Sequence, residues 1–356
     1  MNLNDMLPNL GEWLRGTGPE SDTVISTRIR LARNLANYPF INRATFHQKA
    51  EIEARLRDLV LRLDLPAPLR YVGVAGLEPL DRQFLVERQL ISRELANVLE
   101  GPRGVAFDER ESISLMVNEE DQLRLQVMRS GFALDEAWRD IDRIDDQIEA
   151  RAAYAYHEQF GYLTACPTNV GTGMRASVML HLPALSLTKQ IERVFRALQK
   201  INLVVRGLYG EGSRAAGDFF QISNQVTLGK SETTVLNEIR QVIQEIILYE
   251  RQARKLLQQE NRQALLDRVA RAIGTLQSAT MMTSDETMEL LSSVRMGIHL
   301  HLVDDTPAVK INELFIHTQP AHLQKLVGSS LDGEERNAAR ARYLRGRFRE
   351  MGTTLN

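Results

Sequence analysis

Three short stretches carry residue types able to move a charged phosphoryl group. The first is the acidic run Asn118-Glu119-Glu120-Asp121, set between two strand-like segments at 111–117 and 122–128, with Arg124 four residues after Glu120. Carboxylates beside an arginine suit a site that holds a cationic acceptor next to a phosphate. Taken alone, the run is equally an ordinary solvated turn closed by an ion pair. If the strand pleat continues through it, Glu120, Gln122 and Arg124 share a face, and Leu123, Leu125 and Val127 turn to the core. The second stretch runs from Cys166 to Arg175, reading C-P-T-N-V-G-T-G-M-R. Its small residues let backbone N–H groups approach an anion on which Arg175 can close. The P-loop pattern G-x-x-x-x-G-K-S/T is absent. A lone cysteine serves as a small buried hydrophobe or as a functional thiol, and the polar surroundings leave both readings open for Cys166. The third stretch, from Arg206 through Glu211 to Ser213, is an arginine leaving a strand and then a glycine-rich loop with one acid. That pattern fits a lid over a substrate, or a plain surface turn.

A fourth group lies near the end of the chain. Arg336 and Arg340 are one helical turn apart, with Asn337 between them, and either share an anion or form a solvated basic face. No metal-binding spacing is present; His299 and His301 read as surface positions rather than zinc ligands. Nothing marks a serine-nucleophile motif.

The elements that must position these groups follow from periodicity. Residues 24–31 alternate as a strand, with Arg28 and Arg30 on one side. The runs flanking 118–121 predict a hairpin, and strands are expected on both sides of the Cys166–Arg175 stretch and at 201–205. Helical spacing covers 45–64, 80–98, 134–150, 187–199 and 231–257. Beyond residue 258 the chain reads as almost entirely helical, with one helix starting near Ser284 and a last one capped by the Asp332/Glu335 pair. The expected organisation is an α+β protein with a lead-in at 1–20, a catalytic domain at 21–257 and a helical domain at 258–356.

Composition narrows the class. The chain has 356 residues, 43% hydrophobic and 25% charged, with a net charge of −2 and one cysteine. These values exclude a disordered or disulfide-stapled chain and any global pull toward nucleic acid. The single cysteine and the absence of a basic, apolar leader predict a reducing, cytoplasmic setting. No apolar run approaches the ~18 residues of a membrane span. The bias toward 37 arginines against seven lysines fits fork-shaped recognition of phosphate, although genome composition produces the same skew.

Together the first three stretches resemble the phosphagen (guanidino) kinases. The matching residues are Ser26-Thr27-Arg28-Ile29-Arg30 with Tyr38-Pro39-Phe40, Asn118–Asp121, Cys166–Asn169 through Arg175-Ala176-Ser177, Arg206-Gly207 with Gly210-Glu211, and Ile222-Ser223-Asn224 with Leu228-Gly229. The family's small N-terminal domain is missing and a helical domain is added behind, an arrangement similar to the bacterial enzymes that phosphorylate arginine in proteins. The resemblance implies a saddle-shaped antiparallel sheet flanked by helices, ATP and Mg²⁺ as cofactors, and transfer of the γ-phosphoryl group to a guanidinium. It places Arg28, Arg30, Arg124, Arg175 and Arg206 on the phosphates, Glu120 and Glu211 on the acceptor guanidinium, and Cys166 beside it. Glu120 is the expected base and Glu211 the lid clamp. The segment Arg336–Ala341 resembles the family's R-D-x-x-R-A element, with Asn337 for the acid, and implies a regulatory phosphoarginine site at Arg336, Asn337 and Arg340. Gln122, Tyr209 and Gln221 also depart from the family pattern. The implied partners are protein substrates with exposed arginine, a zinc-binding activator protein, an AAA+ protease, a heat-shock repressor and a second copy of the chain, in the setting of proteolysis under stress. Two alternatives stay open: a kinase for a small free guanidino compound, and a degenerate kinase acting as a regulatory phosphoprotein- or nucleic-acid-binding protein.

Overall fold

The structure, a computed structural model, describes residues 2–97, 100–207, 216–304 and 306–355. In chain order it contains β1 (Val24–Arg33), α1 (Phe46–Leu61), β2 (Arg70–Gly73), α2 (Pro79–Glu87), α3 (Arg93–Asn97), β3 (Gly104–Phe107), β4 (Ile113–Val117), β5 (Leu123–Ser130) and α4 (Leu134–Glu149). It continues with β6 (Tyr156–His157), β7 (Gly161–Tyr162), β8 (Met174–His181), α5 (Pro183–Leu187), α6 (Ile191–Lys200), β9 (Leu203–Arg206), β10 (Phe219–Asn224) and α7 (Glu232–Glu260). The last helices are α8 (Arg262–Ser278), α9 (Ser284–His299), α10 (Ala308–His317), α11 (Pro320–Val327) and α12 (Gly333–Met351). The α+β class is as expected: an eight-stranded sheet in the order β2-β3-β4-β5-β1-β8-β10-β9, antiparallel throughout and flanked by helices.

Strand alternation divides the sheet into an apolar and a polar face. Ile29 and Leu31 of β1, Leu125 and Val127 of β5, Ala176 and Val178 of β8 and Ile222 of β10 join one buried cluster. Helices α1, α4 and α7 cover it with Ile52 and Leu56, Ile141 and Ile144, and Ile239 and Ile243. Burying each such side chain favours the fold by about 1.5–3 kcal/mol. The intervening residues of the same strands, which include Arg28, Arg30, Arg124 and Arg175, therefore lie on the opposite face.

A second cluster is built by α8, α9, α10 and α12, into which Trp13 and Leu14 of the lead-in and Met128, Met179 and Phe219 of the sheet insert. The lead-in itself forms two 3₁₀ turns, Leu3–Met6 and Glu12–Leu14. The expected capping pair is present, Asp332 with Glu335 closing a capping box on α12; Ser231 also accepts from Thr234 N at the start of α7, and Thr283 caps α9. Residue 258 falls inside the continuous helix α7.

The sequence expectation of one helix over 80–98 is corrected. Two helices, α2 and α3, occupy that span, and Gln89 between them has φ +62°. The apolar spacing runs on across the break because Phe84, Leu85, Leu90, Ile91 and Leu95 all enter one cluster with Ala321 of α11. A non-glycine residue in the left-handed region costs about 1–2 kcal/mol, which this packing must offset.

Candidate active site

Cross-strand register places the five arginines together. Arg30 of β1 sits opposite Arg175 of β8, Arg28 opposite Ser177, and Ala32 opposite Arg124 of β5. Arg206 of β9 pairs with Gln221 of β10, which itself pairs with Met179 of β8. Directly opposed residues project to the same side, so one polar face presents Arg28, Arg30, Arg124, Arg175 and Arg206. All five, with Glu120 and Cys166, line a single cleft of about 620 Å³.

The crowding is electrostatically strained. Burial, followed by the charges of Arg175, Arg124 and Arg206, pushes the Arg28 guanidinium down to about 10. Burial and the neighbouring arginines hold Arg30 well below its ordinary range, and its Nε has no hydrogen-bond partner among the described residues. Arg28 donates to Gln89 Oε1 at 3.0 Å and, at 3.5 Å, to Ser177 Oγ. A bound polyanion would relieve this repulsion and complete the unfilled donor.

The acidic run forms the tight end of the β4–β5 hairpin, as expected, but the pleat stops at Val117 and resumes at Leu123. Asn118 has φ +58°, and its N–H donates to Gln122 O. Gln122 consequently does not share a face with Glu120 and Arg124. It is buried, accepts from Leu35 N at 2.8 Å and donates to Pro39 O at 3.0 Å, a structural tie outside the cleft. Glu120 is exposed at the mouth, with Oε2 3.2 Å from Arg124 Nη2. Partial burial raises its carboxyl pKa, Arg124 lowers it, and Asp121, Glu119 and Glu94 raise it further, for a net upward shift. A raised carboxylate accepts a proton more readily, as a base requires.

Glu119, to which the sequence reading gave no role, is the hub of this end. It is buried, receives Arg124 Nη1 at 2.7 Å and Ser92 Oγ at 2.6 Å, and accepts from Glu120 N at 2.9 Å. Its place in the same acidic run was visible; its inward turn was not. Asp121 is fully buried and accepts from Asn34 Nδ2 and Ala165 N, both at 2.7 Å. It thereby ties the Glu120 turn to the loop that carries Cys166, whose Sγ lies 3.0 Å from Thr168 Oγ1. Gly173, at φ +62°, lets this loop press against β1: a Cβ there would lie 2.6 Å from Ala32 O. Beneath it Arg33 pairs with Asp145 at 2.6 Å and stacks 3.6 Å over the Tyr162 ring.

Other expected positions divide. Gln221 lines the cleft, as do Gln89, Arg93 and Arg103, which the sequence reading did not single out. Glu211 and Tyr209 lie outside the described residues. His299 is half-buried, and its Nε2 is enclosed without a hydrogen-bond partner among the described residues. Arg336 and Arg340 occupy successive turns of α12 as expected. Arg340 is buried and donates to Thr318 O, Met282 O and Asn337 Oδ1 at 2.8, 2.8 and 2.9 Å, while Arg336 donates to Leu331 O at 2.8 Å. Among the described residues no group of three or more His, Cys, Asp or Glu converges as a metal site, and no helix is long and apolar enough to cross a membrane.

Comparisons with known proteins agree with this geometry. Residues 51–253 match the family model for the C-terminal catalytic domain of ATP:guanido phosphotransferases, and residues 262–356 match the model for the C-terminal domain of the protein-arginine kinase McsB. The protein-arginine kinase of Symbiobacterium thermophilum is 48% identical over 98% of this chain and 99% of its own length. That of Halothermothrix orenii is 44% identical over 98% and 99%. Among solved structures, a lombricine kinase is 26% identical with a TM-score of 0.58, covering 68% of this chain and 71% of that one. This chain belongs to the ATP:guanido phosphotransferase family, in its protein-arginine kinase branch.

Proposed function

We propose that this chain transfers the γ-phosphoryl group of ATP to arginine side chains of proteins, releasing ADP. The observation that carries the reading is the convergence of five arginines from one sheet face on a cleft with Glu120 at its mouth; the full-length likeness to protein-arginine kinases supports the acceptor. The arginines bind and orient the triphosphate and stabilise charge on the transferring group. Glu120 orients one guanidinium nitrogen in line with the γ-phosphorus. As the N–P bond forms and the bond to the ADP oxygen breaks, the Glu120 carboxylate accepts the nitrogen's proton. Glu211 serves as the second clamp on the guanidinium, and Cys166 lies beside it. Glu119 and Glu120 are both engaged by Arg124, so Mg²⁺ would be carried mainly by the nucleotide's phosphates, where it would neutralise charge beside the five arginines.

Arg336, Asn337 and Arg340 form the proposed regulatory phosphoarginine site. Burial and then the charge of Arg336 lower the Arg340 guanidinium, which with their placement on successive turns of α12 supports an anion there. Family likeness supports the remaining elements: a cytoplasmic enzyme in stress-linked proteolysis, working with a zinc-binding activator, an AAA+ protease and a heat-shock repressor, and self-association.

The test incubates the chain with ATP, Mg²⁺ and an arginine-rich protein, reading acid-labile phosphoarginine by mass spectrometry. Wild type is expected to modify the protein, and Glu120→Gln to be slower by at least about 100-fold. Undiminished transfer by Glu120→Gln, or turnover of free arginine with none of protein, would overturn the reading.

A further inference from the structure

We propose that Glu87 is a positioning residue for ATP binding: it clamps the end of α2 to the first turn of α11, so that Gln89 is held against the guanidinium of Arg28. The inference rests on the phosphate role assigned to Arg28 above.

Arg28 is one of the crowded phosphate-site arginines, and it has a side-chain tether from outside the sheet. Three other arginines repel it, and its contact with Ser177 is long, which leaves Gln89 Oε1, at 3.0 Å, as its main tether. Gln89 is itself held on the sheet by its carbonyl, which accepts from Gln126 Nε2 at 2.7 Å. Its backbone is in the left-handed region, a conformation that persists only where the surroundings over-determine it.

Those surroundings are Glu87 and Arg88, both buried. The Glu87 carboxylate accepts from Ala321 N at 2.9 Å, His322 N at 3.0 Å and His322 Nδ1 at 2.9 Å. Two of these donors are first-turn amides of α11, an end that favours an anion. Arg88 donates to both Glu111 oxygens, to Asn9 O at 2.7 Å and to His322 Nε2 at 3.3 Å. With Nε2 accepting from Arg88, the network assigns the His322 proton to Nδ1, where it donates to Glu87. Burial raises the Glu87 carboxyl to about 7, and the two α11 amides, Gln83 and lastly the charge of Arg340 pull it back toward the carboxylate. The phosphate cleft is thus braced by a helix of the C-terminal region, 235 residues away in sequence.

The full-length chain is measured by calorimetry with Mg²⁺·ATP and by steady-state kinetics, as wild type, Glu87→Ala, Glu87→Gln, Gln89→Ala and the Glu87→Ala/Gln89→Ala double variant. Glu87→Ala is expected to weaken ATP binding about tenfold and raise KM for ATP equally, the scale of one hydrogen bond to a charged group. The acceptor KM, and kcat at saturating ATP, should stay within about twofold. Glu87→Gln, which keeps an acceptor, should recover most of the affinity, and the double variant should bind no more weakly than Gln89→Ala. Unchanged ATP affinity in Glu87→Ala, additive effects in the double variant, or an equal rise in both KM values would overturn the inference. If Glu87→Ala does not fold, His322→Ala, which removes one donor, should raise KM for ATP about threefold, and an unchanged value would overturn it. Wild type that binds ATP without phosphorylating arginine would refute the proposed function alone.

Discussion

Arg30 shows what a phosphate site costs when no phosphate is bound. Its side chain is desolvated and repelled by Arg28, Arg124 and Arg175, with Glu119 opposing the shift. The folded state therefore disfavours its charge, and binding of a polyanion supplies the missing partner. Function and stability should separate at this residue. Arg30→Met, which fills similar volume without charge, is expected to stabilise the ligand-free protein by about 0.5–2 kcal/mol in urea unfolding while lowering phosphoryl transfer at least about 100-fold. A destabilised Arg30→Met would show that the arginine cluster is a structural network. At this scale the sequence was most legible: the residue types and the alternation that puts Arg28 and Arg30 on one face are local properties. Gln122 was not, because the tight turn at Asn118 rotates it away from the face that simple alternation assigns.

Elements meet at the cleft through buried polar ties rather than through apolar contact alone. Asp121 is the clearest case, since a single carboxylate joins the end of β1, through Asn34, to the loop before β8, through Ala165. Burial raises its pKa, and those two donors oppose the shift. Asp121→Ala removes the acceptor of the part-buried Ala165 N–H and one of the two acceptors of the Asn34 amide, at about 1–3 kcal/mol for each bond lost. The expected result is a stability loss of about 2–4 kcal/mol together with a raised KM for the acceptor protein and a nearly constant KM for ATP, because the loop it holds carries Cys166 and none of the β1 arginines. Equal changes in both KM values would remove this assignment. The hairpin, the strand flanks and the helix caps were readable from turn chemistry and periodicity. The break at Gln89 was not, because one apolar stripe serves both α2 and α3, whose residues enter a single buried cluster with Ala321 of α11.

Across the whole molecule, the sheet and the C-terminal helices meet along a seam of buried cations and neutral histidines. Arg295 of α9 donates to Ser21 O, Asp22 O and His181 Nδ1, and His181 Nε2 faces Ser292 Oγ. His299, on the same helix, is pushed down to about 3 by burial and by Arg295 and Arg254, with Asp22 opposing and His301 adding to the shift. A histidine whose folded pKa lies below the unfolded value of ~6.5 gives its full contribution above that pH and loses it as the pH falls toward the folded value. Between pH 7 and pH 5 this amounts to about 2 kcal/mol for His299. His299→Leu should therefore lose about 2 kcal/mol less stability than wild type over that interval in urea unfolding; an identical pH dependence would refute the assignment. The sequence by itself determined the α+β class, the order of the motifs and the arginines that share a face, because those rest on periods of 2 and 3.6 residues and on local turn chemistry. Only the tertiary structure decided that Glu119 is the hub of the acidic turn, that Arg340 is held by backbone carbonyls, and that Glu87 reaches His322 beneath the Arg28 tether. These pairings join residues up to 235 apart, and no local period encodes which distant donor a buried carboxylate will meet.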